Sequence, residues 1–380
     1  MMNIENDIIN LLPQMRKDKH FFWNNPENEF EEIKTSNYIV TKLKEMGYEN
    51  IKTNIAKTGV VAQLDGTEPG ECILFRADMD AVMMDDKHRM KHTCGHDAHM
   101  TILLGLAQLL INNKNRIKGC VKLLFQPAEE GHGGARPMIN EGVLENSRVD
   151  KVFALHVWSE IDEGKIGIRE GAVMASTDPF DIKVIGKGGH AALPEKCVDP
   201  IYIASSITIA LQGIVGRNIN PNDTAVVGIT SINGGSTNNV IPDKVELKGI
   251  CRTFNNELRK ELLKRIENVA MKIAESMNGS IEFKHILEYP AVVNSKSEAE
   301  DIKQIAKKIV GEDNIVTDYR TMCAEDFSFF LQERPGAFVL IGNRGENVAA
   351  QHNEDYLVSE KSILIGEQVL YEIAKKYLFK

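Results

Sequence analysis

The sequence lacks a net positive charge and long apolar runs, and each absence excludes a class of partner. Its 45 basic and 54 acidic residues give a formal charge of −9 at pH 7. Nucleic acids and anionic membrane surfaces bind proteins through a basic face, and a membrane-spanning helix needs about 20 consecutive apolar residues. We therefore expect neither a nucleic-acid partner nor a membrane partner.

Cysteine is also sparse, with six residues spread over a chain of 380. Secreted disulfide scaffolds are short and dense in cysteine, so we expect the thiols to be reduced. Residues 1–12 contain acidic side chains where a secretory signal carries Lys or Arg. Both features favour a cytoplasmic location.

Towards both ends of the chain, apolar segments of strand type alternate with segments of helical periodicity. The predicted strands cover residues 71–76, 121–126, 150–156 and 337–342, and the predicted helices cover residues 3–12, 31–46, 100–110 and 359–380. This alternation predicts an open, mostly parallel α/β sheet.

The middle of the chain has a different order of elements. The predicted order is β-α-β-β-α-β, with strands at 180–185, 224–232, 245–253 and 280–287 and helices at 199–215 and 256–277. That is the ferredoxin-like arrangement of an independent small domain. We expect residues 1–176 and 293–380 to form one large domain, into which a smaller domain of residues 177–292 is inserted.

Side chains that can bind metal follow the predicted strands of the large domain. They are Asp78, Asp80, the segment 94–99, Glu129, Glu130, His156 and His352. In open α/β sheets, ligands bind outside the carboxyl ends of the strands. The sequence therefore predicts a metal site at this edge of the sheet.

The cysteine and histidine signals are individually weak. Cys94 and His96 are close enough to share a metal, but a buried thiol beside a helix that starts at an Asp97 N-cap would explain the same letters. His88 and His92 lie in a charged stretch, where we expect solvated side chains.

Glu129 and Glu130 form a stronger signal. Adjacent acids usually lie on a hydrated surface, but these two follow an apolar strand and precede the glycine-rich segment 131–134, where backbone can approach a ligand closely. One glutamate could hold metal while the other takes a proton from water. Which glutamate has which role is left open by the residues alone.

Eight ordered motifs make the sequence resemble a family of metal-dependent amidohydrolases. The family includes bacterial N-acyl-amino-acid amidohydrolases, hippurate hydrolases and plant auxin-conjugate hydrolases. The motifs span nearly the whole chain and are RADMDA at 76–81, TCGHDAH at 93–99, QPAEEG at 126–131, LHVW at 155–158, GKGGHA at 186–191, NVIP at 239–242, AEDFS at 324–328 and QH at 351–352.

The resemblance implies a large mixed-sheet, metallopeptidase-like catalytic domain and an inserted lid that also carries homodimer contacts. It implies two divalent metal ions per subunit, with zinc or manganese first and cobalt or nickel as alternatives. The implied ligands are Cys94, His96, Glu130, His156 and His352, with Cys94 bridging the two ions.

The resemblance also implies roles for residues that do not bind metal. Glu129 would be the general base and later the acid that protonates the leaving amine, and Asp78 would orient a ligand. His190 would assist the tetrahedral intermediate, from its own subunit or from the partner subunit. Asn239 and Arg252 would bind the polar end of the substrate, because a guanidinium suits a carboxylate.

We therefore expect hydrolysis of the amide bond of N-acyl amino acids or related small conjugates through a metal-activated water. A dipeptidase and an N-acetyl-diaminopimelate deacetylase would use the same site. A cysteine hydrolase with Cys94 as nucleophile and a non-enzymatic protein with a structural metal are alternatives from other classes. The segment between Asp80 and Cys94 is shorter than is usual in the family, which leaves the acyl group and the amino acid open.

Overall fold

The computed structural model of the protein describes residues 4–84, 89–346 and 348–380. The chain divides into two compact units. Unit 1 comprises Met1–Val173, Val293–Tyr319 and Asp326–Lys380, and unit 2 comprises Met174–Val292 and Arg320–Glu325.

The helices of the described residues are α1 (Asn6–Asn24), α2 (Ile33–Met46), α3 (His96–Asn112), α4 (Ala135–Asn140), α5 (Pro200–Asn218), α6 (Asn256–Ser276), α7 (Lys296–Val310), α8 (Ser328–Glu333) and α9 (Glu360–Leu378). Within the described ranges, none of them is both long enough and apolar enough to cross a membrane.

The strands, in chain order, are β1 (Asn50–Ile55), β2 (Gly59–Asp65), β3 (Glu68–Asp78), β4 (Val82–Met83), β5 (Met90–Lys91), β6 (Lys118–Gln126), β7 (Lys151–Asp162), β8 (Ile166–Gly167), β9 (Gly171–Met174), β10 (Asp178–Ile185), β11 (Gly189–His190), β12 (Ala225–Asn233), β13 (Val240–Ile241), β14 (Lys244–Thr253), β15 (Ser280–His285), β16 (Val292–Asn294), β17 (Ile315–Val316) and β18 (Gly336–Arg344).

Unit 1 is built on an eight-stranded sheet with the order β1-β2-β6-β3-β7-β18-β8-β17. The adjacent strands β6, β3, β7 and β18 run parallel, and they correspond to the four strands predicted from the sequence. At one edge β2 is antiparallel to both of its neighbours, β1 and β6, and at the other β8 is antiparallel to β18. The predicted α/β class is confirmed, and the antiparallel edges make the sheet mixed.

The central strands read as continuous apolar runs because they are buried along nearly their whole length. In β18 every residue from 336 to 343 is buried, as expected for parallel strands covered on both faces. One apolar core contains Phe75, Leu104, Val339 and Ile373, from two of these strands and from α3 and α9. Burying each such side chain stabilises the fold by about 1.5–3 kcal/mol.

Unit 2 has a four-stranded antiparallel sheet with the order β12-β14-β10-β15. Apart from the two-residue strands β11 and β13, its strands and α-helices follow the chain as β10, α5, β12, β14, α6 and β15, which is the predicted β-α-β-β-α-β order. Alternate residues of β10 face the core, among them Phe180, Ile182 and Val184. Asp199 is the N-cap of α5, and its side chain accepts hydrogen bonds from the amides of Ile201 and Tyr202.

The structure corrects the start of the helix that carries His96. The N-cap of α3 is Gly95, whose φ of 95° lies in the left-handed region. A Cβ on Gly95 would lie 2.4 Å from Val157 Cγ2, so only glycine fits. Asp97, predicted as the N-cap, lies in the first turn with Oδ2 3.0 Å from Lys19 Nζ, where a negative charge still favours the helix.

The expectation of reduced thiols is wrong for one pair. Cys72 and Cys120 are joined by a disulfide. They lie on the parallel neighbours β3 and β6 and are direct register partners. Their separation of 48 residues hides this proximity in the sequence.

Candidate metal centre

The five side chains predicted as metal ligands lie together in unit 1. Cys94 Sγ is 3.4 Å from His156 Nε2, and Glu130 Oε1 is 3.7 Å from His96 Nε2 and 3.4 Å from His352 Nε2. Ligand atoms of Cys94, Glu130 and His352 all lie within 4.8 Å of one another. His156 differs from the prediction in one respect, because β7 continues to Asp162 and places it inside the strand rather than at its end.

Hydrogen bonds fix which ring nitrogen of two histidines faces the cluster. His96 Nδ1 lies 2.9 Å from the Asp80 carbonyl, and His156 Nδ1 lies 2.7 Å from the Val157 carbonyl. A carbonyl oxygen only accepts, so each Nδ1 carries the proton and each Nε2 presents its lone pair to the cluster. Carbonyl support of this kind is typical of metal-binding histidines.

Two buried atoms of the cluster lack a hydrogen-bond partner. His96 Nε2 and Glu130 Oε1 are buried and make no hydrogen bond within the described residues. Each has a longer ion-pair contact, Glu130 Oε1 with His352 Nε2 at 3.4 Å and His96 Nε2 with Asp78 Oδ2 at 3.7 Å. Buried polar atoms are nearly always hydrogen-bonded, so two facing atoms without a hydrogen bond leave room for a common partner. Thiolate, imidazole and carboxylate are the donors that zinc and related divalent ions bind. The residues present therefore fit a metal centre.

The electrostatics of the cluster also favour a cation. Burial opposes a charged His96, but neighbouring carboxylates, above all Asp78, raise the pKa of His96 to about 10. Burial and the carboxylates of Glu130 and Glu129 raise the pKa of the Cys94 thiol well above its usual range. Carboxylates contribute to both shifts, and a divalent cation would offset their buried negative charge. A neutral thiol is a poor nucleophile, so this environment does not favour Cys94 as a nucleophile.

His99 lies beside the cluster but is already satisfied. Its Nδ1 is 2.7 Å from Asp78 Oδ1, and its Nε2 accepts a hydrogen bond of 3.0 Å from the Val157 amide. Both ring nitrogens are therefore engaged. His99 supports Asp78 rather than offering a lone pair to a metal.

Asp78 is held by a buried polar network that sequence reasoning missed. Arg76 donates to Asp78 Oδ2 at 2.7 Å, to Gln126 Oε1 at 2.9 Å and to Asp326 Oδ1 at 3.0 Å. Burial disfavours the Asp78 carboxylate, but His96, His99 and Arg76 hold the pKa of Asp78 well below its usual range. Asp78 therefore stays charged. The motifs RADMDA and AEDFS contain Arg76 and Asp326, but nothing in either motif links them.

Asp80 positions both glutamates that follow β6. Its Oδ1 accepts from the Glu129 amide at 3.0 Å, and its Oδ2 accepts from the Glu130 amide at 2.9 Å. Carboxylate oxygens of Glu129 and Glu130 lie within 4.8 Å of a ring nitrogen of His96. The Asp80 carboxylate therefore holds the backbone of both the candidate base, Glu129, and the candidate ligand, Glu130.

The segment that carries His352 is tied to the same centre. The His352 amide donates to the Thr93 carbonyl at 2.9 Å, and the Gln351 amide donates to Ser159 Oγ at 3.2 Å. Gln351 Nε2 lies 3.8 Å from Cys94 Sγ, which is within reach of a weak hydrogen bond to sulfur. Gln351 is a neighbour of the thiol that sequence reasoning did not single out.

The other three predicted site residues lie in unit 2. His190 lies in β11, which pairs with β13, and the Ala191 amide donates to the Asn239 carbonyl at 3.1 Å. The structure therefore brings His190 and Asn239 close together. Arg252 lies on β14, half-buried, and its Nη1 donates to the Met322 carbonyl.

Two histidines of the charged stretch had been expected to be solvated. His92 is 1% exposed, so that expectation is wrong for His92. Residues 85–88, in the shortened segment between Asp80 and Cys94, lie outside the described residues. His88 is one of them.

A comparison with known families decides what kind of protein carries this centre. The sequence pattern of Peptidase family M20/M25/M40 matches residues 74–376. The chain belongs to this family. The matched range of this M20 family member contains all five candidate ligands.

Individual relatives agree over the whole chain. This M20 family member is 37% identical over 387 residues to a hippurate hydrolase of Campylobacter jejuni, covering 99% of this chain and 100% of that protein. It is 37% identical over 391 residues to an IAA-amino acid hydrolase of Arabidopsis thaliana, covering 99% and 87%. The predicted family resemblance and the enzyme class, a metal-dependent amidohydrolase, are confirmed.

A solved structure shows the same architecture. A dinuclear metal-binding peptidase of family M20 from Bacillus subtilis matches with a TM-score of 0.84 at 31% identity, covering 96% of this chain and 97% of that one. The coarse prediction of a metal-dependent M20 enzyme is therefore supported by fold as well as by sequence.

Proposed function

We propose that the protein hydrolyses the amide bond of N-acyl amino acids or related small conjugates. In this proposal two divalent ions per subunit are held by Cys94, His96, Glu130, His156 and His352. The observation that carries it is a pair of buried atoms without a hydrogen-bond partner, His96 Nε2 and Glu130 Oε1, which lie 3.7 Å apart. Hippurate and IAA-amino acids, named for two relatives, are both amides of an acyl group with an amino acid.

Glu129 is the general base of the proposed reaction. The ions, when bound, would supply a Lewis acid for the acyl carbonyl and lower the pKa of water. Glu129 takes the proton from that water and later delivers it to the leaving amine. Its backbone amide is fixed by Asp80, and its carboxylate lies beside His96 and Glu130, so the base stands next to the ligands without being needed as one.

His190, Asn239 and Arg252 are assigned to the substrate. His190 Nδ1 accepts from the Ala192 amide at 3.1 Å, so the ring proton lies on Nε2. An exposed N–H of this kind can donate to a developing oxyanion. Asn239 and the Arg252 guanidinium would bind the carboxylate or polar end of the amino acid.

Several finer properties stay predictions. They are zinc or manganese as the physiological ions, a homodimer formed through a lid at residues 177–292, and a cytoplasmic location. A dipeptidase or N-acetyl-diaminopimelate deacetylase activity differs only in substrate, and the substrate panel below distinguishes them.

The test measures release of free amine from N-acyl amino acids, dipeptides and N-acetyl-diaminopimelate. Activity is followed before chelation, after chelation and after each divalent ion is added back. Glu129→Gln should keep the bound metal yet lower kcat by about 10²–10⁴-fold, the usual contribution of a general base. Glu130→Gln is the matched variant, and it should lose metal as well as activity.

The outcomes separate the alternatives. Full activity after verified metal removal would overturn the metal mechanism in favour of Cys94 as nucleophile. An active, metal-loaded Glu129→Gln would overturn the assignment of the base. Bound metal with no activity on any substrate of the panel would overturn the proposed substrate class.

A further inference from the structure

The loop that carries Glu129 and Glu130 is held through its backbone by carboxylates that lie outside it. We call residues 128–132 the glutamate loop. Asp80 accepts from its two central amides, as described above. The amides at its two ends donate instead to side chains of residues 27–32, the segment between α1 and α2, which we call the strap.

Glu32 holds the start of the glutamate loop. Its side chain is fully buried, and its Oε1 accepts from the Ala128 amide at 3.0 Å and from the Phe30 amide at 3.0 Å. Thr58 Oγ1 donates to the other oxygen, Oε2. A buried carboxylate is unfavourable unless it is hydrogen-bonded, and no step of the proposed reaction uses this one.

The residue that Glu32 holds has an unusual backbone. Ala128 has φ = 56°, in the left-handed region that a residue with a Cβ rarely adopts. Its carbonyl accepts from the amides of Gly133 and Gly134, at 3.0 and 3.1 Å. The Ala128 N–H and C=O are therefore both restrained, and such conformations persist only where the surroundings over-determine them.

Glu29 holds the end of the glutamate loop. Its Oε2 accepts from the His132 amide at 2.7 Å, and its Oε1 is 2.8 Å from His132 Nδ1. A Cβ on Gly131 would lie 2.1 Å from Glu29 Oε2. A side chain at position 131 would therefore displace the Glu29 carboxylate from this position.

The strap is itself anchored at both sides. The Glu27 carboxylate accepts from the amides of Lys34 and Thr35, at 3.0 and 2.9 Å, at the start of α2. The Glu27 carbonyl accepts from the Ala81 amide at 3.0 Å. Ala81 follows Asp80, so this hydrogen bond links the strap to the segment that carries Asp80.

We propose that Glu29 and Glu32 are positioning residues that set the backbone of the glutamate loop and thereby aim the Glu129 and Glu130 carboxylates. The proposal rests on the roles assigned to those two carboxylates under the proposed function. Side-chain direction follows backbone torsion, and a displacement of about 1 Å in a reacting group can cost about 10²-fold in rate. The strap therefore contributes to catalysis without touching substrate or metal.

The decisive comparison is Glu32→Met against Glu32→Gln. Methionine keeps the length of the side chain and removes both acceptors. Glutamine keeps one oxygen for the Ala128 and Phe30 amides, and its NH₂ can donate to Thr58 Oγ1. Glu31→Met, a change of the exposed neighbouring glutamate, is the matched control.

Three quantities are measured on each folded variant. They are Zn²⁺ affinity by competition with a chromogenic chelator, kcat and KM on the best substrate of the panel, and the melting temperature. We expect Glu32→Met to weaken Zn²⁺ binding and lower kcat by about tenfold or more, the range seen when the support of a ligand is removed, with KM nearly unchanged. Glu32→Gln should restore both quantities, and Glu31→Met should match the parent protein.

Glu29→Met tests the other end of the strap and keeps the proposal testable if Glu32→Met does not fold. It should also lower kcat and Zn²⁺ affinity. Parental kcat and affinity in Glu32→Met or Glu29→Met would overturn the proposal, as would a Glu32→Gln variant impaired as much as Glu32→Met. If Glu129→Gln stays active while Glu32→Met still loses Zn²⁺ affinity, the assignment of Glu129 as the base is wrong, and the positioning role of the strap is supported.

Discussion

At the scale of single residues, Arg76 is the hub of the buried polar network behind the metal centre. Arg76, Asp78 and Asp326 have fully buried side chains, and Arg76 lies 2.7 and 3.0 Å from the two carboxylates. Removing one partner of a buried ion pair leaves the other charge uncompensated. We expect Arg76→Met to lower the free energy of unfolding by about 3–5 kcal/mol, measured by urea denaturation of the metal-free protein.

Arg16→Met is the matched control for that prediction. Arg16 also forms a bidentate ion pair, with Glu360, but both side chains are more than half exposed. Water and salt screen such pairs, so this change should leave the free energy of unfolding nearly unchanged. Equal losses in Arg76→Met and Arg16→Met would contradict the argument from burial.

Residue type and local spacing predict only part of this site. Glu129 and Glu130 follow an apolar strand and precede glycines, so the residues alone point to them. Asp326 and Glu32 could not be found in this way. The partners that tie them to the site, Arg76 and Ala128, lie 250 and 96 residues away in the chain. An isolated Asp or Glu in a sequence is most often a solvated side chain, and only the sheet order shows which ones are buried.

At the scale of elements, the crossing of α3 and α9 buries a carboxyl group. Glu367 lies on α9 opposite Gly105 of α3, where a Cβ would be 2.3 Å from Glu367 Oε2. Neither oxygen of Glu367 has a hydrogen-bond partner within the described part of the chain. Burial raises the pKa of the Glu367 carboxyl well above its usual range, which favours the neutral acid in the folded protein.

This pKa predicts how Glu367→Gln depends on pH. An acid whose pKa is raised in the folded state contributes to the free energy of unfolding. This contribution is complete below the unfolded-state pKa of about 4.3 and is lost as the pH rises towards the folded-state pKa. Glutamine has nearly the same shape and does not titrate. The variant should therefore gain in melting temperature over the parent, and the gain should be larger at pH 8 than at pH 5.

Glu360→Gln on the same helix serves as the control, because the pKa of Glu360 is shifted in the opposite direction. A side-chain hydrogen bond from Arg16 lowers the pKa of Glu360, so its contribution is present above the ordinary pKa and is lost as the pH falls. This variant should not gain in melting temperature at pH 8. A pH-independent difference between parent and Glu367→Gln would contradict the buried acid.

Which elements could be predicted follows from how they are buried. The central strands are covered on both faces and read as apolar runs, so β6 and β18 were predicted within a few residues. β1 and β2 form an antiparallel edge of the sheet. β1 is mostly exposed and β2 is largely buried, and neither strand was predicted. α7 was also missed, although Ala299, Ile302, Ile305 and Ile309 have helical spacing.

At the scale of the whole molecule, the two units have separate apolar cores. The buried residues of the unit 2 core all lie between Phe180 and Ala274, within the continuous stretch Met174–Val292. Its six further residues, 320–325, contribute backbone contacts such as that of Thr321 with Ala175 but none of the core. We therefore expect a fragment of residues 174–292 to fold alone and to unfold cooperatively, as judged by circular dichroism and thermal melting.

Metal should stabilise only the unit that holds it. All five proposed ligands lie in unit 1, and a ligand that binds only the folded state adds about 2.7 kcal/mol when present at 100 times its Kd. A chelator should therefore lower the melting temperature of the full chain and leave that of the fragment 174–292 unchanged. Glu130→Gln should lower the full chain's melting temperature before chelation and reduce the chelator's further effect. A chelator-sensitive fragment, or a full chain indifferent to verified metal loss, would place the stabilising metal outside the proposed centre.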